Sequence, residues 1–469
     1  MQGKIPIPSN VTRLSQAIKT VSRDGIPQIV FYQAGIGSQG GILNRVIGGA
    51  TADGLSENIR SGYSFLSNNY HQGDEIFFFG FSRGAFTARS IAGMIEGVGL
   101  LTKDGLPFLA EIFRDWENAR NDNYKPKNPN IPFPDKPSAS DPRYKKLLAK
   151  KHLSRFDIQI QVVGVFDTVG SLGIPRIPWL ETLHLQTRST KEYLFYDTKL
   201  NNHIKYAFQA LALDEHRSAF SPAVWEKPDD CQTHLRQVWF PGVHSNIGGG
   251  YPDQGMANIT LAWMMAQVES MLDFDDTYIL DEFEATLDHY EKTDQKPRPW
   301  SFGKIYRSLT GIYILGGRTT RTPGDYFEVD PYSGRETDVP LVDTNEYIHP
   351  SVRTRKAKRG PGVEDMGTYD AHPLDAYKLR APNAERRVAI WDPRSRRSGL
   401  HPLPESPLWG MERELLEEDP RMYDYLLGNG GGGGGSSRGP SGPADSQLVP
   451  STLSRSRRDS RSPLPNGRL

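Results

Sequence analysis

An α/β fold, with a mostly parallel sheet and helices on both of its faces, is what three features of this sequence predict. Strand-like and helix-like segments alternate through the first three hundred residues. The strand-like segments are continuous apolar runs such as Ile76-Phe77-Phe78-Phe79, as expected of strands covered on both faces. Beyond them this rhythm stops, first in an irregular Arg- and Pro-rich extension and then in a glycine-rich tail.

Taken in order, residues 10–21 read as a helix. Asn10 is a cap candidate, and Leu14, Ala17, Ile18 and Val21 fall at helical spacing. Residues 28–32 (QIVFY) form a short β-branched and aromatic run, a strand signal. Residues 56–70 read as a second helix, with Ser56 as its cap and Ile59, Tyr63, Phe65, Leu66 and Tyr70 as its apolar positions. Residues 75–79 are the next strand, and a helix follows from about Gly84. Later strand signals cover residues 158–166, 206–213 and 235–240. Residues 121–142 hold six prolines and read as a surface loop or part of a cap. The expected division is therefore a core at 1–290, a capping or wrapping segment at 291–427, and a disordered tail at 428–469. That tail has too little apolar surface to offset its ordering entropy.

Composition narrows the function. The 56 basic and 56 acidic residues cancel, so no global field points to nucleic acid or to an anionic membrane. The single cysteine, Cys231, excludes an intramolecular disulfide and a cysteine-built zinc site. No leader-like or membrane-spanning apolar run is present, and a soluble cytoplasmic protein is expected. No H-E-x-x-H or phosphate-binding G-x-x-x-x-G-K-[ST] pattern occurs, so neither metal nor other cofactor is expected. Residues 35–40 (GIGSQG) fit G-x-G-x-x-G, but no second strand ending in an acidic residue follows at the spacing a dinucleotide site needs.

Two stretches fit G-x-S-x-G, the pattern of a serine-hydrolase nucleophile: residues 80–84 (GFSRG) and 435–439 (GSSRG). The pattern carries little information alone. Its chemistry needs a strand, a tight turn and a helix, so that the serine projects from the sheet edge over a helix N-terminus. Only the first copy has both flanks, which makes Ser82 the candidate nucleophile. A serine hydroxyl needs a base to take its proton, and the base needs an orienting acid. Asp167 ends the run Ile160 to Phe166, and His244 follows the run Gln237 to Val243 just before a glycine-rich loop, in the chain order acid then histidine. Among the eleven histidines, His216 and His349 are the rivals and read as solvated or capping residues.

Four ordered blocks carry a resemblance. They are GDEIFFFGFSRGA around Ser82, VGVFDTVGSLG around Asp167, ALDEHRSAFSP at 212–222 and PGVHSNIGGGY around His244. Together they resemble an α/β-hydrolase family long catalogued as a domain of unknown function and related to the phospholipase effectors of bacterial type VI secretion. The resemblance spans about residues 7–427. It implies an α/β-hydrolase-like fold, Ser82 as nucleophile, Asp167 as acid, His244 as base, and a lipase- or phospholipase-type esterase. The Arg83 N–H would be one oxyanion donor. Leu172, Ile174, Ile177, Trp179 and Leu180 either line an acyl-chain pocket or lid or pack as an ordinary loop. The expected partner is a small-molecule or lipid ester, with peripheral membrane contact allowed; nucleic acid is not expected and oligomeric state is left open. Members of this family open on a strand ending in Asp-Gly-Thr, just before the counterpart of Pro8 to Leu14. Here only seven residues precede Pro8. Two readings follow: an active enzyme whose opening strand lies ahead of Met1, or a weakened hydrolase-fold binding or scaffold protein.

Overall fold

The continuous apolar runs become the inner strands of a parallel sheet in the computed structural model. It describes residues 7–35, 52–121, 123–169, 199–310, 314, 317–329, 336–383, 388–395 and 399–427. In chain order the first nine strands are β1 (Ile76–Phe81), β2 (Leu100–Leu101), β3 (Ser154–Arg155), β4 (Ile160–Phe166), β5 (Ile204–Ala212), β6 (His234–Phe240), β7 (Phe327–Val329), β8 (Glu336–Pro340) and β9 (Glu346–Ile348). The central sheet has the order β1-β4-β5-β6-β9, and every pairing in it is parallel. The strands β2 with β3 and β7 with β8 form small antiparallel pairs outside it.

Helices cover both faces, which is why the strands carry no polar alternation. On one face, helices Ala52–Asn69, Arg83–Val98, Leu109–Glu117 and Pro142–Lys150 bury Tyr63, Met94, Ile112 and Tyr144 against Val163, Val165 and Ala207. On the other, helices Asn10–Ala17, Gly255–Val268 and Gly410–Glu417 pack against Val162, Phe166, Phe208, Ala210, Val238 and Phe240. Helix Gly255–Val268 is buried from Met256 to Val268 on every side, so its sequence shows no polar stripe. A third cluster around Trp239, Ile348 and Trp391 ties the C-terminal part of the chain to β6 and β9. Among the described residues no helix is long and apolar enough to cross a membrane.

Three local expectations change. Ser9, not Asn10, caps the first helix by accepting the Thr12 N–H, and the helix stops at Ala17 rather than Val21. The Asn10 amide is instead buried and donates to the Ile247 and Ala257 carbonyls, pinning this helix to positions 237 and 247 residues further along the chain. Residues 28–32 form no strand: Ile29 is 77% exposed, and Val30, Phe31 and Tyr32 are exposed too. A strand needs a ladder partner, and this segment pairs with none among the described residues. Its only backbone bond among those described is at its start, from the Gln28 N–H to the Thr20 carbonyl, and the rest is held by side chains, through Phe31 stacked on Phe65 and the Tyr32 hydroxyl against Thr12. It shares a cleft with β1, one of the two edge strands of the central sheet among the described residues.

Candidate active site

Parallel register brings the candidate residues to one edge. Phe81 of β1 pairs with Phe166 of β4, so the residues that follow them, Ser82 and Asp167, lie side by side at the carboxyl ends of adjacent strands. Phe166 pairs with Ala210 of β5, and Ala212, two residues on, pairs with Phe240 of β6. The loop after Phe240 then carries His244 to the same edge.

Ser82 sits between β1 and helix Arg83–Val98 at φ 58° and ψ −121°, a backbone region that side chains rarely adopt. Its N–H is held by the Phe166 carbonyl at 3.1 Å, and its own carbonyl accepts from Ala85 and Phe86. The turn is tight because the strand and helix backbones nearly touch: a Cβ on Gly80 would lie 2.5 Å from the Ala85 Cα. Gly84, the second glycine of the motif, is under no such constraint. It faces open space rather than close packing, while Ala85 and Ala88 are buried. Gly80→Ala is therefore expected to destabilise the fold by about 3 kcal/mol or more, since the obstacle is backbone. Gly84→Ala is expected to leave stability level or raise it by up to about 1 kcal/mol. Thermal unfolding of the two variants side by side measures the difference.

Asp167 is fully buried with φ 44°, a conformation in which Asp is enriched. Its Oδ2 lies 2.6 Å from His244 Nδ1. Its Oδ1 accepts the Ala212 N–H at 2.9 Å. Arg321 supplies the remaining bonds, Nη1 to Oδ1 at 2.5 Å and Nη2 to Oδ2 at 3.0 Å. Burial disfavours the carboxylate, but the Arg321 charge and the His244 hydrogen bond outweigh it and hold the group below the usual carboxylate range. An ionised Asp167 only accepts, so His244 Nδ1 carries the proton and Nε2 is left as a bare acceptor. Burial pushes the His244 pKa down, against the pull of Asp167.

His244 is 4% exposed, its ring packed between Phe81 at 4.6 Å and Phe220 at 4.8 Å between centroids. Two acids fix the loop that carries it. Glu215 Oε2 accepts the His244 N–H at 3.2 Å, and Asp214 Oδ2 accepts the Gly242 N–H at 2.6 Å. The Glu215 carboxylate also binds the Arg217 guanidinium with two bonds of 2.9 Å and the Ser308 hydroxyl at 2.8 Å. The Asp-Glu-His-Arg block thus acts on the His244 loop through its acids.

Its histidine, His216, is half-buried and turned to the Thr319 carbonyl. His349 is buried rather than solvated; it caps helix Pro350–Ala357 and meets Glu412 at 2.8 Å. Neither lines the cleft that holds Ser82 and His244.

That cleft has a volume of ≈ 1950 Å3. Ser82, Arg83, His244, Arg217, Phe220 and Tyr251 line it at the catalytic-candidate end, and Phe31, Phe77, Phe79, Phe81 and Ile91 extend it as an apolar trough. Arg83 is the first residue of its helix, where the N-terminus carries partial positive charge. Leu172, Ile174, Ile177, Trp179 and Leu180 lie outside the described residues, as does the second G-x-S-x-G copy at 435–439. Sequence reasoning missed Arg321, Asp214 and Glu215 as parts of this arrangement.

Comparison with known proteins gives a family. Residues 1–267 match the family model described as type VI secretion system phospholipase effector Tle1-like, catalytic domain. The uncharacterized protein YEL023C of Saccharomyces cerevisiae is 32% identical over 233 residues, covering 45% of this chain and 29% of its own length. The chain therefore spans less than a third of that curated relative. The solved structure of the Tle1 effector bound to the VgrG spike from the type VI secretion system aligns over 72% of this chain and 80% of its own, at 17% identity and a TM-score of 0.29. With more than half of its length matched by the family model, the chain belongs to the family of Tle1-like phospholipase effector catalytic domains.

Proposed function

We propose that this chain hydrolyses carboxylic esters of lipids through a covalent acyl-enzyme. Ser82 Oγ attacks the ester carbonyl, and His244 Nε2 takes its proton and later returns it to the leaving alcohol. Asp167 orients the imidazole and stabilises its protonated form, and the Arg83 N–H faces the developing oxyanion at the helix N-terminus. Water then attacks the acyl-enzyme with His244 again as base. The observation that carries this reading is the 2.6 Å bond from His244 Nδ1 to Asp167, made in the same cleft as a serine held at positive φ. The apolar trough of Phe31, Phe77, Phe79 and Phe81 is suited to an acyl chain, which favours a lipid over a small polar ester. Leu172, Ile174, Ile177 and Trp179 remain candidates for its lid.

A second reading has one observation in its favour. Because β1 is an edge strand, no strand among the described residues stands on its free side to present a second oxyanion donor. Loss of such a donor typically costs about 100- to 1000-fold in turnover, which would leave a weakened enzyme or a lipid-binding protein. Incubation with phosphatidylethanolamine micelles, followed by fatty-acid release, separates the two. Hydrolysis together with labelling by a fluorophosphonate probe is expected. Lipid binding with neither labelling nor release favours the binding protein.

A further inference from the structure

We propose that Arg321 is a positioning residue that neutralises Asp167, lowers the proton affinity of the Asp167–His244 pair, and so keeps His244 a neutral base below neutral pH. The proposal rests on the triad reading above. Arg321 lies beyond the part of the chain matched by the family model, in the segment before β7.

The guanidinium is placed with little freedom. Beside its two bonds to Asp167, Nη1 donates to the Ala212 carbonyl and Nη2 to the Phe220 carbonyl, each at 2.7 Å. Ala212 ends β5, and Phe220 is the residue whose ring packs edge-on against His244. Arg321 is itself 2% exposed. A planar fork that meets both carboxylate oxygens fixes the plane of Asp167 and with it the direction of the bond to Nδ1.

The charge matters more than the fork. Among the described residues, the charged and titratable groups around His244 are two ion pairs, two phenols, Arg83 on the cleft wall, and Asp214, which holds the Gly242 N–H of the same loop and whose carboxyl burial pushes up to about 6. Asp167 from the end of β4 is paired with Arg321; Glu215 from the loop after β5 is paired with Arg217; Tyr251 and Tyr326 are phenols whose ionisation burial disfavours. His244 thus stands between two internally neutral ion pairs. A proton on its imidazole adds a net positive charge to a buried site whose two neighbouring carboxylates, Asp167 and Glu215, are already paired. Without Arg321 the Asp167 carboxylate would be an uncompensated anion 2.6 Å from Nδ1, and the pair would bind a proton much more tightly. The sign is the same whichever of the two residues takes that proton.

The test is a titration of the His244 imidazole by NMR on the full chain labelled at histidine, with His244→Gln used to assign the signal. In the unsubstituted protein the pair is expected to protonate below the ordinary histidine value of about 6.5. Arg321→Gln removes the charge and is expected to raise the midpoint by about one pH unit or more, tenfold in proton affinity. Arg321→Lys keeps the charge and is expected to stay within about 0.3 units. A purely structural role would lower stability in both variants and move neither midpoint.

A folded Arg321→Gln with an unmoved midpoint overturns the proposal. So does Arg321→Lys moving as far as Arg321→Gln. If Arg321→Gln does not fold, an unsubstituted His244 titrating at or above about 6.5 overturns it as well. The readout needs no turnover. Failure of the hydrolase reading would appear separately, as fluorophosphonate labelling that does not depend on Ser82.

Discussion

Ser82→Ala is expected to abolish fluorophosphonate labelling and to lower ester turnover by roughly 10^4- to 10^6-fold, the range seen when a serine nucleophile is removed from a working triad. The loss is expected to be purely chemical. The Ser82 hydroxyl makes no capping bond to the helix it precedes, and the backbone bonds at this position go through its N–H and carbonyl. Alanine has the same Cβ and meets the same positive-φ cost, so the turn between β1 and helix Arg83–Val98 should be retained. Thermal unfolding of the variant should therefore match that of the unsubstituted chain within about 0.5 kcal/mol. Labelling that survives the substitution at full stability would remove Ser82 from the mechanism and put the reactive group elsewhere.

The placing of Ser82, Asp167 and His244 at one edge of the sheet is legible in the sequence because each position is announced locally. Each follows a continuous apolar run, and in a parallel sheet the residue after such a run stands at the carboxyl edge. Arg321 had no such signal. It lies 154 residues beyond Asp167, in an irregular stretch where arginines are common, and only the packing of that stretch over β5 selects it. Glu215 stands in the ALDEHRSAFSP block, but nothing local marks its part, because its side chain serves the backbone of another loop.

The failed strand at residues 28–32 has a different origin. Its local preference for extended backbone is real, but extended backbone becomes a strand only when a neighbour supplies ladder bonds, and none does among the described residues. The cap error is smaller. Asn10 has the right chemistry for a cap, yet the buried Ile247 and Ala257 carbonyls claim its amide, and Ser9 is left to cap.

Asp167→Asn is expected to lower turnover by roughly 10^4-fold, a loss that does not require removing the side chain. The carboxylate accepts on both oxygens: Oδ1 from Ala212 N and Arg321 Nη1, Oδ2 from His244 Nδ1 and Arg321 Nη2. Asparagine must present its NH2 group at one of these positions. Turned toward Oδ1 it would oppose the Ala212 N–H, which cannot change its role. Turned toward Oδ2 it opposes Arg321 Nη2, but there its other neighbour is an imidazole, which can adapt: the ring moves its proton to Nε2 and accepts at Nδ1, so one fixed donor is opposed rather than two. The amide therefore settles with its nitrogen toward His244. The nitrogen that should receive the Ser82 proton is then already protonated, and the base is lost while the geometry stays.

The substitution also leaves the Arg321 guanidinium, 2% exposed, without its counter-charge. Breaking a buried pair from one side costs about 3–5 kcal/mol. Asp167→Asn should thus be slow and also less stable, whereas Ser82→Ala should be only slow. Urea unfolding of the two variants beside the unsubstituted chain separates them. Equal stability of all three would mean that Arg321 is not held by the Asp167 charge, because its bonds to the Ala212 and Phe220 carbonyls do not change between the variants.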